Sequence, residues 1–525
     1  MTTTLYRRGR VRSSADPFAT ALLVDGQTVA WVGTEGAADA LTADDTVELD
    51  DAWLAPAFVD AHVHATSTGL ALTGLDLTDA PSLAVALDRV AVAARRARGG
   101  AVLGTGWDDT AWPEGRPPTA GELDRASYGG VVYLARTDVH SAVASSALLA
   151  AVPEARAAQG FLPGGLVRTD AHHLVRRAAY AAVTPSQRRA AQEAALARAA
   201  ELGIACVHEC GGPDIAGEQD FLSLLELGGP RVVGYWGELD AVEKAAELGA
   251  VGAGGDLFAD GALGSHTACL SAPYADADTS GHAYLDRAQV ARHVAACTRA
   301  GMQAGFHAIG DAALQAVLSG IADAAAEVGL DRVRAARHRV EHAEALSAEQ
   351  VGQLAACGVV ASVQPAFDAR WGGPEGMYAT RLGRERAAGL NPYAAMAAAG
   401  VALALGSDAP VTPLDPWGTL RAAVRHRTPG SGLSARAAFS AHTRGGWRAA
   451  RRDDTGDLVP GAPATFALWQ VPGELLVQTP DDRVTGWSTD PRAGVAGLPD
   501  LDGPDPVCLR TVLSGETVFD REHPV

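Results

Sequence analysis

The stretch PAFVDAHVHATSTG, from Pro56 to Gly69, decides how this chain is read. Ala57, Phe58 and Val59 begin an apolar run that reads as a buried strand, and Val63 stands between two histidines, His62 and His64. Side chains at i and i+2 of a strand leave on the same face, so both imidazoles can reach one metal ion. Imidazole suits zinc and its neighbours, and the stretch therefore reads as half of a catalytic metal site. Alone the pair says little, because 15 histidines in 525 residues give about 0.4 H-x-H pairs by chance.

Working outward, three further segments share its design. FHAIGD places His307 after the apolar run Met302–Phe306, RVEHAE places His342 after Arg339 and Val340, and VALALGSDAP places Asp408 after Val401–Leu405. Each polar residue closes a short apolar run, and an Ala-rich helical segment follows. Such groups at the C-terminal ends of successive strands are what a (β/α)8 barrel offers. Eight candidate strands alternate with helices in the middle of the chain: AFVDAHVH, IACVHE, RVVGYWG, GDLFADG, MQAGFHA, HRVEH, VVASVQP and ALALGSD. The fold class is therefore α/β, a TIM barrel over residues 56–454. A long insertion after the first strand, over about residues 66–200, exceeds an ordinary connection and would cover the barrel mouth. Both chain ends are β-rich: a hairpin turns at Asp25-Gly26, DTVELDDAWLAP follows as another strand, and PATFALWQ, DRVTGWST and CLRTVLSGETVFD resemble strands, with a turn at Ser514-Gly515. Residues 1–55 and 455–525 are thus expected to form one composite β-sandwich.

Composition excludes several classes. A net charge of −19, from 43 basic and 62 acidic residues, argues against a nucleic-acid partner, and the arginine pairs Arg95–Arg96 and Arg176–Arg177 read as solvated helical faces. Six scattered cysteines suggest no disulfide framework, and CVHEC (Cys206 to Cys210) reads as a buried strand rather than a metal loop. No secretory signal or membrane-length apolar run is seen, so no membrane partner is expected and the cytoplasm is the default location. His172 and His173 read as a solvated helix start.

Together FVDAHVH, GWDDTAWPEGRPPTAGELD, RTDVHSAVASSALL, LFADGALGSHTACLSAPYAD, HAIGDAAL, RVEHAE, SVQPAF and GSDAPVTPLDPWGTLRAAV resemble the amidohydrolase superfamily. Within it they resemble the amidohydrolase-3 branch that includes N-substituted formamide deformylases. The resemblance implies a metal-dependent hydrolase of non-peptide C–N bonds, and a homodimer by family habit. His62 and His64 match the metal ligands of the first strand, His307 that of the fifth, His342 that of the sixth and Asp408 the aspartate of the eighth. At the fourth strand, where members with two metals carry a bridging carboxylated lysine, GGDLFADG places Asp256. An aspartate carboxylate lies closer to the backbone than a lysine carbamate. The expectation is that it cannot bridge two ions without backbone movement, and Asp256 is read as a bridge, an orienting carboxylate or a relic.

One divalent ion, zinc by preference, is therefore favoured over two. In that arrangement His62, His64, His307 and Asp408 hold the ion, Asp408 shuttles the proton from water to the leaving nitrogen, and His342 polarises the carbonyl. With two ions, His307 and His342 hold the second. His140, His266 and Trp107 are candidate substrate contacts, with ordinary packing as the alternative for each. The expected substrate is a small molecule with an amide or formamide-like bond. Competing readings are a deaminase of an aminated ring on the same site, and a barrel that has lost catalysis and acts as a binding protein.

Overall fold

Phe58–Val63 (β1) is buried on both faces, as a strand between a barrel interior and a helical layer must be. The structure, a computed structural model, describes residues 2–478, 487–488 and 496–523. Seven more parallel strands follow β1: Ile204–Gly211 (β2), Arg231–Trp236 (β3), Gly252–Ala253 (β4), Gln303–Ala308 (β5), Arg339–His342 (β6), Val360–Val363 (β7) and Ala402–Leu405 (β8). They pair in chain order in one eight-stranded sheet. The seam between β8 and β1 is closed just beyond the strand ends, where Asp408 N–H donates to His62 O at 2.8 Å and His64 N–H donates to Ala409 O at 2.9 Å. The chain folds as an α/β barrel.

The fourth strand departs from the sequence reading. GDLFADG was expected to be a strand, but regular pairing ends at Ala253 and resumes only as a single parallel bridge between Phe258 and His307 on β5. Gly254 and Gly255 cause this. A Cβ on Gly254 would collide with the backbone of Gly305 on β5, and Gly255 adopts φ +80. Only glycine permits both the close approach and the left-handed turn.

Both termini build the sheets beneath the barrel. Thr28–Gly33, Ala21–Asp25, Thr3–Arg7 and Asp45–Glu48 form one sheet; Arg10–Val11, Trp53–Pro56, Phe466–Gln470, Val507–Leu513 and Glu516–Asp520 form another. They share a core that includes Tyr6, Leu22, Leu54, Phe466 and Val512. DTVELDDAWLAP yields two strands rather than one, because Asp50 and Asp51 both take positive φ and turn the chain between them. Of DRVTGWST, only Trp487–Ser488 falls among the described residues, as a short strand. Trp53, Phe58, Trp417, Phe439 and Trp469 stack at 5.2–6.2 Å between ring centroids where this domain meets the barrel.

The segment after β1 opens with helix α1 (Ala65–Thr73) and closes with α2 (Thr169–Ala181) and α3 (Pro185–Glu201). Between them a five-stranded sheet runs from Leu75 to Arg168. Helix α3 starts cleanly, with Thr184 and Gln187 capping each other's backbone and Pro185 at its first position. Helix α1 has no side-chain cap of its own; the Glu209 carboxylate on β2 accepts from Ala65 N–H at 2.7 Å instead. The two helices cross at Gly69, where a Cβ would collide with Ala191 O. Gly69→Ala should therefore lower the unfolding free energy by about 1–3 kcal/mol, read from a denaturant titration; an unchanged midpoint would contradict this close crossing.

Candidate metal centre

The end of β1 carries the first pair of ligands. Asp60, buried at the strand centre, accepts from Ser407 N–H at 2.8 Å and ties β1 to the end of β8. That tie brings Asp408 beside both histidines: its Oδ1 lies 3.5 Å from His62 Nε2 and 3.3 Å from His64 Nε2. Asp408 takes φ +53, a left-handed conformation that leaves its side chain facing the barrel axis.

Asp256, left open by the sequence as a bridge, an orienting carboxylate or a relic, sits among the histidines. Its Oδ1 lies 3.5 Å from His62 Nε2, 3.6 Å from His307 Nδ1 and 3.7 Å from His342 Nε2, while its Oδ2 lies 3.1 Å from His64 Nε2. It faces all four histidines. The backbone supplies the reach that the side chain lacks, because Gly254 and Gly255 let the chain press against Gly305.

His342 also depends on backbone geometry. Arg339 and Glu341 both point into the barrel, so strict alternation would send His342 outward with Val340. Instead His342 and Ala343 adopt φ +69 and +50, which turns the imidazole inward to within 4.5 Å of the His307 ring centroid. Non-glycine residues held in this region cost about 1–3 kcal/mol each and collect at functional sites.

The outer ring nitrogens settle which lone pairs face the centre. His62 Nδ1 lies 3.0 Å from Glu341, His307 Nε2 3.1 Å from Gly261 O and His342 Nδ1 2.8 Å from Gln364 Oε1. Each partner is an acceptor, so each outer nitrogen carries the proton. The inner atoms, His62 Nε2, His307 Nδ1 and His342 Nε2, then present lone pairs beside Asp256 Oδ1 and Asp408 Oδ1, and all five are buried without a hydrogen-bond partner. At this centre His62, Asp256 and His342 form one group and His62, His64 and Asp408 another, the ligand atoms of each lying within 4.8 Å of one another. Such donors fit a divalent cation, and the held outer nitrogens are the usual support of metal-bound histidine. With Nδ1 donating to Gln364 Oε1, His342 Nε2 is the atom turned toward Asp256, an arrangement that suits a metal ligand.

Behind His62 lies a buried charge pair that sequence reasoning missed. Glu341 accepts from Arg339 at 2.8 and 2.9 Å, and both are fully buried. Arg339 also bonds His208 Nδ1 at 2.9 Å and Ala61 O at 2.8 Å, and packs 4.2 Å from the Tyr235 ring centroid. Burial alone would raise the Glu341 carboxyl, but the guanidinium outweighs it and holds that carboxyl down at about 2. Cys210 Sγ lies 3.5 Å from His62 Nδ1; burial pushes the thiol up to about 12, so it stays protonated behind the ligands. Among the inner groups burial opposes charge, yet Asp256 and Asp408 prevail and push His64 up to about 9. Without metal His62, His64 and His307 hold protons more firmly than a free imidazole, whereas burial and the neighbouring His307 push His342 down.

A profile of the amidohydrolase family matches residues 45–519. The chain belongs to the amidohydrolase family. It is 28% identical over 507 residues to Protein LONG AFTER FAR-RED 3 of Arabidopsis thaliana, covering 87% of this chain and 84% of that protein. It is 31% identical over 204 residues to the putative amidohydrolase YtcJ of Bacillus subtilis (strain 168), covering 38% of this chain and 35% of that one. Among solved structures it resembles an uncharacterized metal-dependent hydrolase from Pyrococcus furiosus, with TM-score 0.71 at 25% identity, covering 89% of this chain and 98% of the other.

In this amidohydrolase the centre opens into a chamber of about 150 Å³ bounded by the insertion and by loops after β4, β6, β7 and β8. His140, Glu344, Phe367, Trp371 and Tyr378 line it beside His307, His342 and Asp408. His140 lies 6.2 Å from His307 between ring centroids, and burial lowers it to about 4, which keeps it neutral. Both arginines of the wall are occupied. Arg136 pairs with Asp108 at 2.8 Å, Asp138 at 3.1 Å and Asp109 at 3.4 Å, and Arg381 pairs with Asp276. The structure does not bring the other two candidate contacts to this wall. Trp107 is 1% exposed in the core of the insertion, where its indole N–H donates to Leu134 O at 2.8 Å. His266 turns to Asp276 at 2.9 Å. Trp112 is also buried and donates to Ala80 O at 2.8 Å. His172 is buried too, not solvated, and bonds the Tyr133 hydroxyl at 2.7 Å.

Two predictions follow from this geometry. Gln364→Leu removes the acceptor that orients His342, and metal affinity measured against a chromophoric chelator should fall about 10- to 100-fold; an unchanged affinity would remove His342 from the ligand set. Because Asp256 and Asp408 keep His64 protonated up to about 9 in the metal-free protein, metal binding should release protons and the apparent affinity should weaken as pH falls from about 9 to 6. Calorimetry in buffers of different ionisation enthalpy reads the proton count, and zero release would contradict the assignment.

Proposed function

We propose that this amidohydrolase is a metal-dependent hydrolase that cleaves a non-peptide C–N bond, an amide or formamide-like bond, in a small molecule whose amine half is neutral or basic. The observation that carries the reading is the convergence of unpartnered acceptors from His62, His307, His342, Asp256 and Asp408 at the floor of a chamber with no unpaired arginine on its wall. Nitrogen and carboxylate donors of this kind suit zinc among the divalent ions. A bound divalent ion would supply a Lewis acid and a water acidified to near neutral pH. His62, His64 and Asp408 are assigned to one ion. Asp256, whose oxygens face His62, His64, His307 and His342, would serve as a further ligand of this centre, whether it takes one ion or two.

The protein groups carry the proton and position the substrate. Asp408 takes a proton from the attacking water and returns it to the departing nitrogen, which leaves poorly unless protonated. His140, neutral and on the chamber wall, is placed to donate to the carbonyl oxygen as charge grows there. Phe367, Trp371 and Tyr378 offer ring faces to the amine substituent, and the carboxylates around Arg136 disfavour a substrate carboxylate on that side.

Asp408→Asn should lower turnover by at least about 10²-fold with an unchanged circular dichroism spectrum. The reading itself is tested with metal-loaded protein on a panel of N-substituted formamides and acetamides. Release of the free amine from neutral or basic members is expected. Ammonia release from an aminated ring with no amide turnover would favour the deaminase reading, and inertness toward both would favour a binding protein.

A further inference from the structure

Arg176 and Arg177 form a pair that the sequence reads as solvated, and the structure separates them. Arg177 reaches outward to Asp214, whereas Arg176 on α2 is only 9% exposed. Among the described residues no carboxylate pairs with Arg176. Its guanidinium carbon lies 5.6 Å from the Tyr180 ring centroid. A ring face attracts a cation without neutralising it, and buried charges are ordinarily paired.

Arg176 lines a second cavity, about 40 Å³, which meets the metal centre at His64 and Pro410. Ser67, Thr105, Tyr133 and Tyr180 complete its polar wall, and no aspartate or glutamate contributes to it. The Ser67 and Tyr180 hydroxyls bond each other at 2.7 Å. His64 is the one of the four whose outer nitrogen is not held: His62, His307 and His342 have outer partners, whereas His64 Nδ1 is buried with none.

We infer that this cavity is a subsite for a small carboxylate, with Arg176 as its counter-charge. Its volume exceeds the roughly 10–15 Å³ that one water needs and suits a group of a few heavy atoms rather than a ring. Hydrolysis of an amide generates such a group: the C–N bond breaks, a C–O bond forms from water, the nitrogen leaves as the protonated amine and the acyl carbon remains as a carboxylate. The link to turnover rests on the proposed hydrolase function, whereas binding of the anion does not. The carboxylate is either the acid just released or one that the acyl half already carries.

The test is calorimetric titration of the metal-loaded protein, and of the same protein after chelation, with sodium formate, sodium acetate and sodium succinamate at constant ionic strength. The expected result is saturable binding of at least one of them in both forms, weakened about 10- to 100-fold in Arg176→Gln and partly restored in Arg176→Lys. Ala71→Leu, on the half-exposed side of α1 that lines the cavity, should weaken it by crowding while keeping the charge. Formate or acetate binding assigns the site to the released acid, and succinamate alone assigns it to a carboxylate on the substrate. The proposal is overturned if none of the three binds, if binding is lost on chelation and so belongs to the metal, or if Arg176→Gln binds as tightly as the parent. Anion binding without any amide turnover would leave this subsite standing and sink the hydrolase reading instead.

Discussion

Everything at the top of this barrel depends on one electrostatic constraint: buried acceptor atoms of three histidines and two aspartates crowd the strand ends with nothing to donate to them. Buried acceptors without donors are costly, about 1–3 kcal/mol each, and like-signed partial charges repel. A cation resolves the conflict. In its absence protons do so incompletely, which is why His62 and His64 beside Asp256 and Asp408 hold protons so firmly. The surrounding structure has the matching character. Glu341 behind His62 would be an untenable buried carboxylate without Arg339, and Arg339 is in turn satisfied by His208, Ala61 O and the Tyr235 ring. A chain of paired charges thus runs from the barrel interior to the ligand, and each link fixes the orientation of the next.

Part of this was legible from the chain alone. The alternation in FVDAHVH and the polar residues closing the apolar runs before His307 and Asp408 reflect periodicities that tertiary structure preserves, and the barrel follows from eight such runs. The sequence left the place of Asp256 open, because it depends on how far the backbone before it can shift. The signal was nevertheless present: two consecutive glycines before a polar residue mark a close backbone approach. The inward turn of His342 has no such mark, since a left-handed backbone at a non-glycine residue depends on surrounding contacts. Trp107 and His266 sit in motifs that suggested the active site, yet local partners, Leu134 O and Asp276, claim their polar atoms. Arg176 looked like half of a solvated pair, and its burial is decided by the insertion sheet that covers α2, a long-range contact that helical spacing does not encode.

The two cavities that meet the centre have opposite character. The larger is aromatic and acidic, with its arginines neutralised by neighbouring carboxylates. The smaller offers donors and one unpaired guanidinium. An amide divided at the metal would place unlike halves in unlike surroundings, the amine toward carboxylates and rings, the acyl group toward donors. The long excursion after β1 contributes residues to both walls.

The central claim, that these converging donors hold a catalytic cation, is tested most directly by elemental analysis of the protein purified without chelators and again after reconstitution with zinc. The account predicts at least one tightly held divalent ion per chain. A value near zero that persists after metal is added back would contradict the account and leave the five buried acceptors without a physical explanation.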